Sequence, residues 1–140
     1  MTAATPTIVL PISTSERLLK RARALMQARL GEADLTLTEV ADTLFVSVRQ
    51  LQRAFASSGS AGFRHELARM RVREGAQIIH QHPERSIASV AAAVGYRQPP
   101  FFAKTFREQL GKSPGVWRRQ CQGHARDAAA QGPENDLLAA

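Results

Sequence analysis

Few side chains in this 140-residue chain could do covalent chemistry, and most classes of reaction lack their reagents here. There are four histidines, His65, His80, His82 and His124, and a single cysteine, Cys121. His80 and His82 sit one residue apart near an expected helix end, which is not a zinc-ligand spacing, and no cysteine pair completes a set. One cysteine closes no intrachain disulfide. No feature of the sequence marks the activated surroundings that a catalytic thiol needs. Glycine-rich phosphate loops and nucleophile motifs are missing as well. The expectation is therefore no catalytic residue, no metal, no cofactor, and not an enzyme.

The remaining chemistry is that of arginine. Lys and Arg number 19 against 12 Asp and Glu, for a formal charge of +7. Between Glu16 and Gln120 stand 18 basic and 9 acidic residues, so the surplus lies on the part of the chain that reads as folded. Such a surplus is the electrostatic footprint of a nucleic-acid binder; the plainer alternative is a basic protein without such a partner.

Two of the basic residues recur at matching places in a repeated pattern. Thr36, Leu37, Val40, Ala41, Leu44 and Val46 are answered 50 residues later by Ser86, Ile87, Val90, Ala91, Val94 and Tyr96. At an offset of 51, Leu51, Arg53 and Phe55 are answered by Phe102, Lys104 and Phe106. A plain helical bundle accounts for the apolar stripes but not for the recurrence of cap, core face and basic position together.

The elements that must position these residues follow from helical periodicity and end signals. A first helix is expected over Ser15–Leu30, capped by Ser15, with Leu18, Ala22, Leu25, Met26 and Leu30 inward. Thr36 with Glu39 makes a capping box for a short helix ending near Leu44, and Ser47 with Gln50 makes a second one. Two short helices with a three-residue turn form a helix-turn-helix. After a break at Ser57–Gly62, a long helix is expected over Phe63–His80. Its 18 residues would span about 27 Å. Ser86 caps the next helix, Gly95–Gln98 makes a turn, Pro99 or Pro100 opens another helix, Gly111 stops it, and Ser113-Pro114 starts a last helix carrying Trp117. The expected fold is all-α, about seven helices, with two helix-turn-helix units joined by a long linker helix. Residues 1–14 read as a leader or linker and 123–140 as a loose tail. The DNA-binding unit is assigned to 15–122, with the first helix-turn-helix at about 36–57, the linker helix at about 63–80 and the second helix-turn-helix at about 86–110. No apolar run reaches the roughly 18 residues of a membrane span, and no basic segment precedes the short apolar start as in a signal peptide. The expected location is the cytoplasm, at the nucleoid.

At this level of detail the sequence resembles the DNA-binding domain of the AraC-type regulators from about Leu18 to Arg119. The motif runs through Ser86-Ile87, Val90-Ala91, Val94-Gly95-Tyr96, Phe102, Phe106, Gly111, Ser113-Pro114 and Trp117-Arg118, with Leu51-Gln52-Arg53 and Phe55 in the first half. The resemblance implies a bacterial transcription regulator that binds double-stranded DNA, with RNA polymerase as a further candidate partner. It places base-contacting positions at Arg49, Gln52 and Arg53, flanked by Ser47 and Gln50. Arg can bridge guanine O6 and N7, and Gln can pair with adenine N6 and N7; the plainer reading of the same residues is a solvated face. In the second unit the matching positions are Pro99, Pro100, Phe101, Ala103 and Lys104, preceded by Arg97 and Gln98. Only Lys104 is charged on that helix face, so this half is expected to supply phosphate contact and shape more than base readout. Phe101 is open between a thymine-methyl contact and a core position.

The chain departs from the family pattern in the order of Gly59 and Ser60 and in Gly75, a glycine inside a helix that costs up to ~1 kcal/mol relative to Ala. No effector-binding domain is visible, so the chain reads as a stand-alone protein or part of a longer regulator. The competing function is a protein-interaction module with weak or no DNA binding of its own, favoured by the prolines of the second recognition helix.

Overall fold

A computed structural model describes residues 13–124, so the leader and tail expected at the two ends lie almost wholly outside the described residues. The elements are α1 (Thr14–Arg29), α2 (Leu37–Thr43), α3 (Val48–Ser57), α4 (Phe63–Gln81), α5 (Ile87–Ala93) and α6 (Pro99–Leu110). A seventh helix, α7, covers 114–124, and there is no strand among the described residues. The fold is all-α.

Local hydrogen-bond rules set where the helices start. Thr36 caps α2 with Glu39, and Ser47 caps α3 with Gln50, each as a complete capping box. Helix α1 corrects one expectation: its cap is Ser13, not Ser15. Only Ser13 has a Glu at the third helical position, and Glu16 closes the box in both directions, at 2.9 and 3.1 Å. The buried face of α1 is Leu19, Ala22, Met26 and Leu30, with Leu18 and Leu25 partly buried beside it. Leu19 was missed because α1 packs against three helices, α2, α3 and α4, and so buries a wider face than one stripe.

Helix α4 has 19 residues, about 28 Å at the standard rise, and it is more than a connector. It packs against α1 at one end and against both α5 and α6 along its length. In the second unit α4 therefore takes the place that α1 takes in the first, giving two three-helix units. Its Phe63 and Leu67 are buried, with the Phe63 ring edge-on to Phe55 of α3 at 6.4 Å. Further along, Val72, Ala76 and Ile79 are buried too, and together with the other buried apolar residues they form one continuous core.

The glycine inside α4 has a packing reason. A Cβ at Gly75 would lie 2.8 Å from Cε1 and Cζ of Phe102. Phe102 is fully buried and sits in a row of aromatic rings, 5.5 Å from Tyr96 and 5.6 Å from Phe106, which in turn meets Trp117 at 6.1 Å. Burying a whole Phe side chain contributes roughly 1.5–3 kcal/mol, which outweighs the glycine's helix penalty of about 1 kcal/mol. Trp117 ties α7 to this row by donating its indole N–H to the Ala76 carbonyl at 3.2 Å. The Gly59–Ser60 turn closes in its own way: Gly59 takes a left-handed φ of 75°, while the Ser60 hydroxyl donates to Glu66 and accepts from the Gly62 N–H, both at 3.0 Å.

Candidate nucleic-acid interface

Helix α3 is amphipathic, and each of its faces has a separate use. Leu51, Ala54 and Phe55 are buried against the rest of the first unit, so Arg49, Gln52 and Arg53 are exposed on the other side. The start of the helix is held by Ser47 and Gln50: the Gln50 N–H donates to the Ser47 hydroxyl at 3.0 Å, and Gln50 Oε1 accepts from the Ser47 N–H at 2.9 Å. These two side chains are thus engaged in orienting α3.

The turn before each recognition helix is the same structure in both units. The Val46 N–H donates to the Ala41 carbonyl at 3.0 Å, and the Tyr96 N–H donates to the Ala91 carbonyl at 2.9 Å. The residue one earlier must be left-handed in each. In the second unit it is Gly95 at φ 93°, and in the first it is Phe45 at φ 57°. A bulky L-residue in that region costs on the order of 1–2 kcal/mol, and the Phe45 side chain is 92% exposed. The sequence reading assigned Phe45 no role, although aligning the two copies puts it opposite a glycine.

Helix α6 presents a different surface. Two prolines occupy its first turn, and Gln98, the N-cap residue, makes no side-chain cap bond. Pro100, Phe101 and Lys104 are exposed and Ala103 partly so. Phe101 is 64% exposed, whereas its neighbour Phe102 is buried, so of its two readings the core one is excluded. Arg97 is exposed but ion-paired with Asp34 of the first unit.

Charge pairing separates the basic residues further. Arg23 binds Glu66 at 2.7 Å, and Arg29 pairs with Glu32. Hydrogen bonding to Arg29 holds the Glu32 carboxyl below its ordinary range. Among the described residues Arg49, Arg53 and Lys104 have no carboxylate at ion-pair distance, so their charges are open to a partner. Thr38, Gln52, Ala56 and Arg64 line one groove between the first unit and α4. Arg64 was not singled out from sequence because its place in this groove depends on how α4 folds back. No group of three His, Cys, Asp or Glu among the described residues could hold a metal ion.

Two stacked helix-turn-helix units, each with an exposed basic position on its second helix, define a helical protein of the DNA-reading class. The family described as "Helix-turn-helix domain" matches residues 40–120. The chain belongs to this family, in its AraC-type branch. It is 31% identical over 108 residues to the transcriptional activator NphR of a Rhodococcus species, a match covering 77% of this chain and 31% of NphR. It thus spans about a third of the length of that curated relative. Among solved structures, it is similar to the C-terminal domain of AraT, a response regulator from Geobacillus stearothermophilus, with a TM-score of 0.71, 31% identity, and 77% of this chain and 88% of that one covered. It is also similar to the DNA-binding domain of AdpA in complex with a target DNA, with a TM-score of 0.67, 27% identity and coverage of 76% and 94%. None of the helices among the described residues is long and apolar enough to cross a membrane.

Proposed function

We propose that this chain is the DNA-binding part of a bacterial transcription regulator, in which α3 and α6 enter adjacent major grooves on one face of B-DNA. The observation that carries this reading is the duplicated unit: the same turn, the same buried face and an exposed, unpaired basic residue on the second helix of each copy. Residues 15–122 supply the DNA-binding unit. Arg49, Gln52 and Arg53 read bases, Ser47 and Gln50 fix the start of the reading helix, and Lys104, Gln98, Pro100 and Phe101 follow the backbone and the groove surface. Arg97 contributes less charge because Asp34 neutralises it. The likeness to the AdpA domain in its DNA complex supports this assignment. The likeness to NphR, a transcriptional activator, supports activation; on this reading RNA polymerase is a second partner and the nucleoid in the cytoplasm the place of action.

Arg53→Ala and Arg49→Ala should each cost about 1–3 kcal/mol on the preferred site and relax base preference in one half of it. Lys104→Ala should weaken binding to every sequence more evenly. Selection from a random duplex pool, repeated with each variant, measures this. If Lys104→Ala alters sequence preference while the two Arg variants do not, the assignment of the halves is reversed.

One chain should occupy one site. Two readers already stand in each copy, so the mass of the complex on a minimal site should correspond to one protein, with two protected patches about one helical turn, ~34 Å, apart. Obligatory two-to-one binding on a palindrome would contradict the paired-reader reading. A protein-interaction role is the competing reading, favoured by the exposed Phe101 and Pro100; it predicts no salt-dependent affinity for duplex DNA.

A further inference from the structure

The two units meet at a seam that, Arg97 apart, the functional residues above do not use. On one side is the end of α1 with the residues that follow it, Leu30, Gly31, Glu32 and Asp34. On the other are Arg71 of α4 and the second turn, Ala93 to Arg97. The half-buried Arg71 guanidinium donates from Nε to the Leu30 carbonyl at 2.9 Å and from Nη2 to the Glu32 carbonyl at 2.8 Å. Its carbon lies 5.6 Å from the centroid of the Tyr96 ring. The Leu30 carbonyl is one of those a helix end leaves without a partner, and a cation there is favoured by the helix dipole. A planar fork holds two carbonyls in one orientation, which a single ammonium does not.

The backbones beside this fork touch without side chains between them. A Cβ at Gly31 would lie 2.8 Å from the Ala93 carbonyl oxygen. A Cβ at Gly95 would lie 2.5 Å from the Leu30 carbonyl oxygen and 2.9 Å from the Arg71 guanidinium. The Arg97–Asp34 pair crosses the same seam. Fork, paired glycines and ion pair together leave the units little freedom to rotate against each other.

We infer that Arg71 is a positioning residue that clamps the two helix-turn-helix units in one relative placement, and that this clamp sets the half-site spacing the protein accepts. The spacing part rests on the two-groove reading proposed above. Each base pair inserted between half-sites moves the second by about 3.4 Å and turns it by about 34°. A clamped pair of readers cannot follow that displacement, whereas a loosened pair can.

The test has one arm without DNA and one with it. Spin labels are placed at Ser57→Cys and Glu108→Cys in a Cys121→Ser background, and the label-to-label distance distribution is recorded. A single narrow distribution is expected with Arg71 in place, and a broadened one in Arg71→Ala and in Arg71→Lys, which keeps the charge but loses the fork. Thermal melts establish that each variant is folded, and Arg73→Ala, an exposed charge on the same helix, should leave the distribution narrow. An unchanged width in both Arg71 variants overturns the clamp, whatever DNA does.

In the second arm, the unlabelled proteins bind a duplex series with zero to three base pairs inserted between the half-sites. The parent and Arg73→Ala should lose about tenfold or more on the first insertion, and both Arg71 variants about threefold or less. Equal insertion penalties in all four proteins overturn the spacing role, and a Lys variant that keeps the parent's penalty assigns the effect to charge instead of the fork. If the parent binds no duplex at all, the DNA reading fails, while the distance measurement still decides the clamp.

Discussion

Raising monovalent salt from 50 to 200 mM should weaken binding to duplex DNA by about a thousandfold or more, provided the two units together neutralise roughly six phosphates. The driving force is the release of counterions condensed on the DNA, so the loss follows the number of phosphates met by Lys and Arg and not the base sequence. On the proposed reading, the contributors are the basic side chains that no carboxylate of the chain engages. Arg49, Arg53 and Lys104 have open charges, and Arg64 lines the same groove as Gln52, whereas the start of α6 adds no free backbone N–H, because its first two residues are prolines and the Phe101 N–H donates to the Gln98 carbonyl. Arg23, Arg29 and Arg97 already face carboxylates within the chain and should contribute less to the slope. Fluorescence anisotropy at several salt concentrations gives the slope of log affinity against log salt. A slope shallower than about −2 would mean that no more than two or so phosphates are neutralised, too few for a pair of groove readers, and would favour the protein-interaction reading.

Replacing Phe102 with Ala should remove about 3–5 kcal/mol of folding stability. The ring is fully buried, its neighbours Tyr96 and Phe106 stand within 5.6 Å, and α4 carries a glycine where any side chain would strike it. The space left behind cannot collapse easily, because three helices and an aromatic row define its walls. Domains of this size are stable by only about 5–15 kcal/mol. The melting midpoint should therefore fall by at least about 12 °C, and binding should suffer only through loss of the folded second unit. The adjacent Phe101→Ala is the control. That side chain is exposed, so its stability change should stay within about 0.5 kcal/mol, while any effect appears in DNA affinity. A melt in which Phe101→Ala is the more damaging change would mean that α6 is rotated by one position from the structure described.

The candidate interface was legible in part for the same reason that the fold was. Arg49, Gln52 and Arg53 fall opposite Leu51 and Phe55 by helical spacing alone, and their exposure follows once that face is buried. Phe101 was left open between core and surface even though Phe102 was placed inward opposite Leu51, since the residue next to a core position lies near the edge of the buried face. Only the packing of Phe102 against Gly75 removes that ambiguity.

What the sequence alone determined were the features that arise within about four residues of themselves. Capping boxes at Thr36 and Ser47, the cap at Ser86, the stop at Gly111 and the 50-residue recurrence of an apolar face all depend on short-range hydrogen bonds and on the helical period. The tertiary structure decided the rest through contacts between residues far apart in the chain. It made α4 a wall of the second unit as well as a connector, widened the buried face of α1 to include Leu19, and gave Gly75 its reason in a ring 27 residues away. It paired Arg97 with Asp34 across 63 positions and carried Arg71 to the Leu30 carbonyl across 41. Periodicity can say that a side chain faces inward or outward on its own helix. Which distant group it meets depends on how the helices cross, and that crossing is settled only when the two units pack on each other.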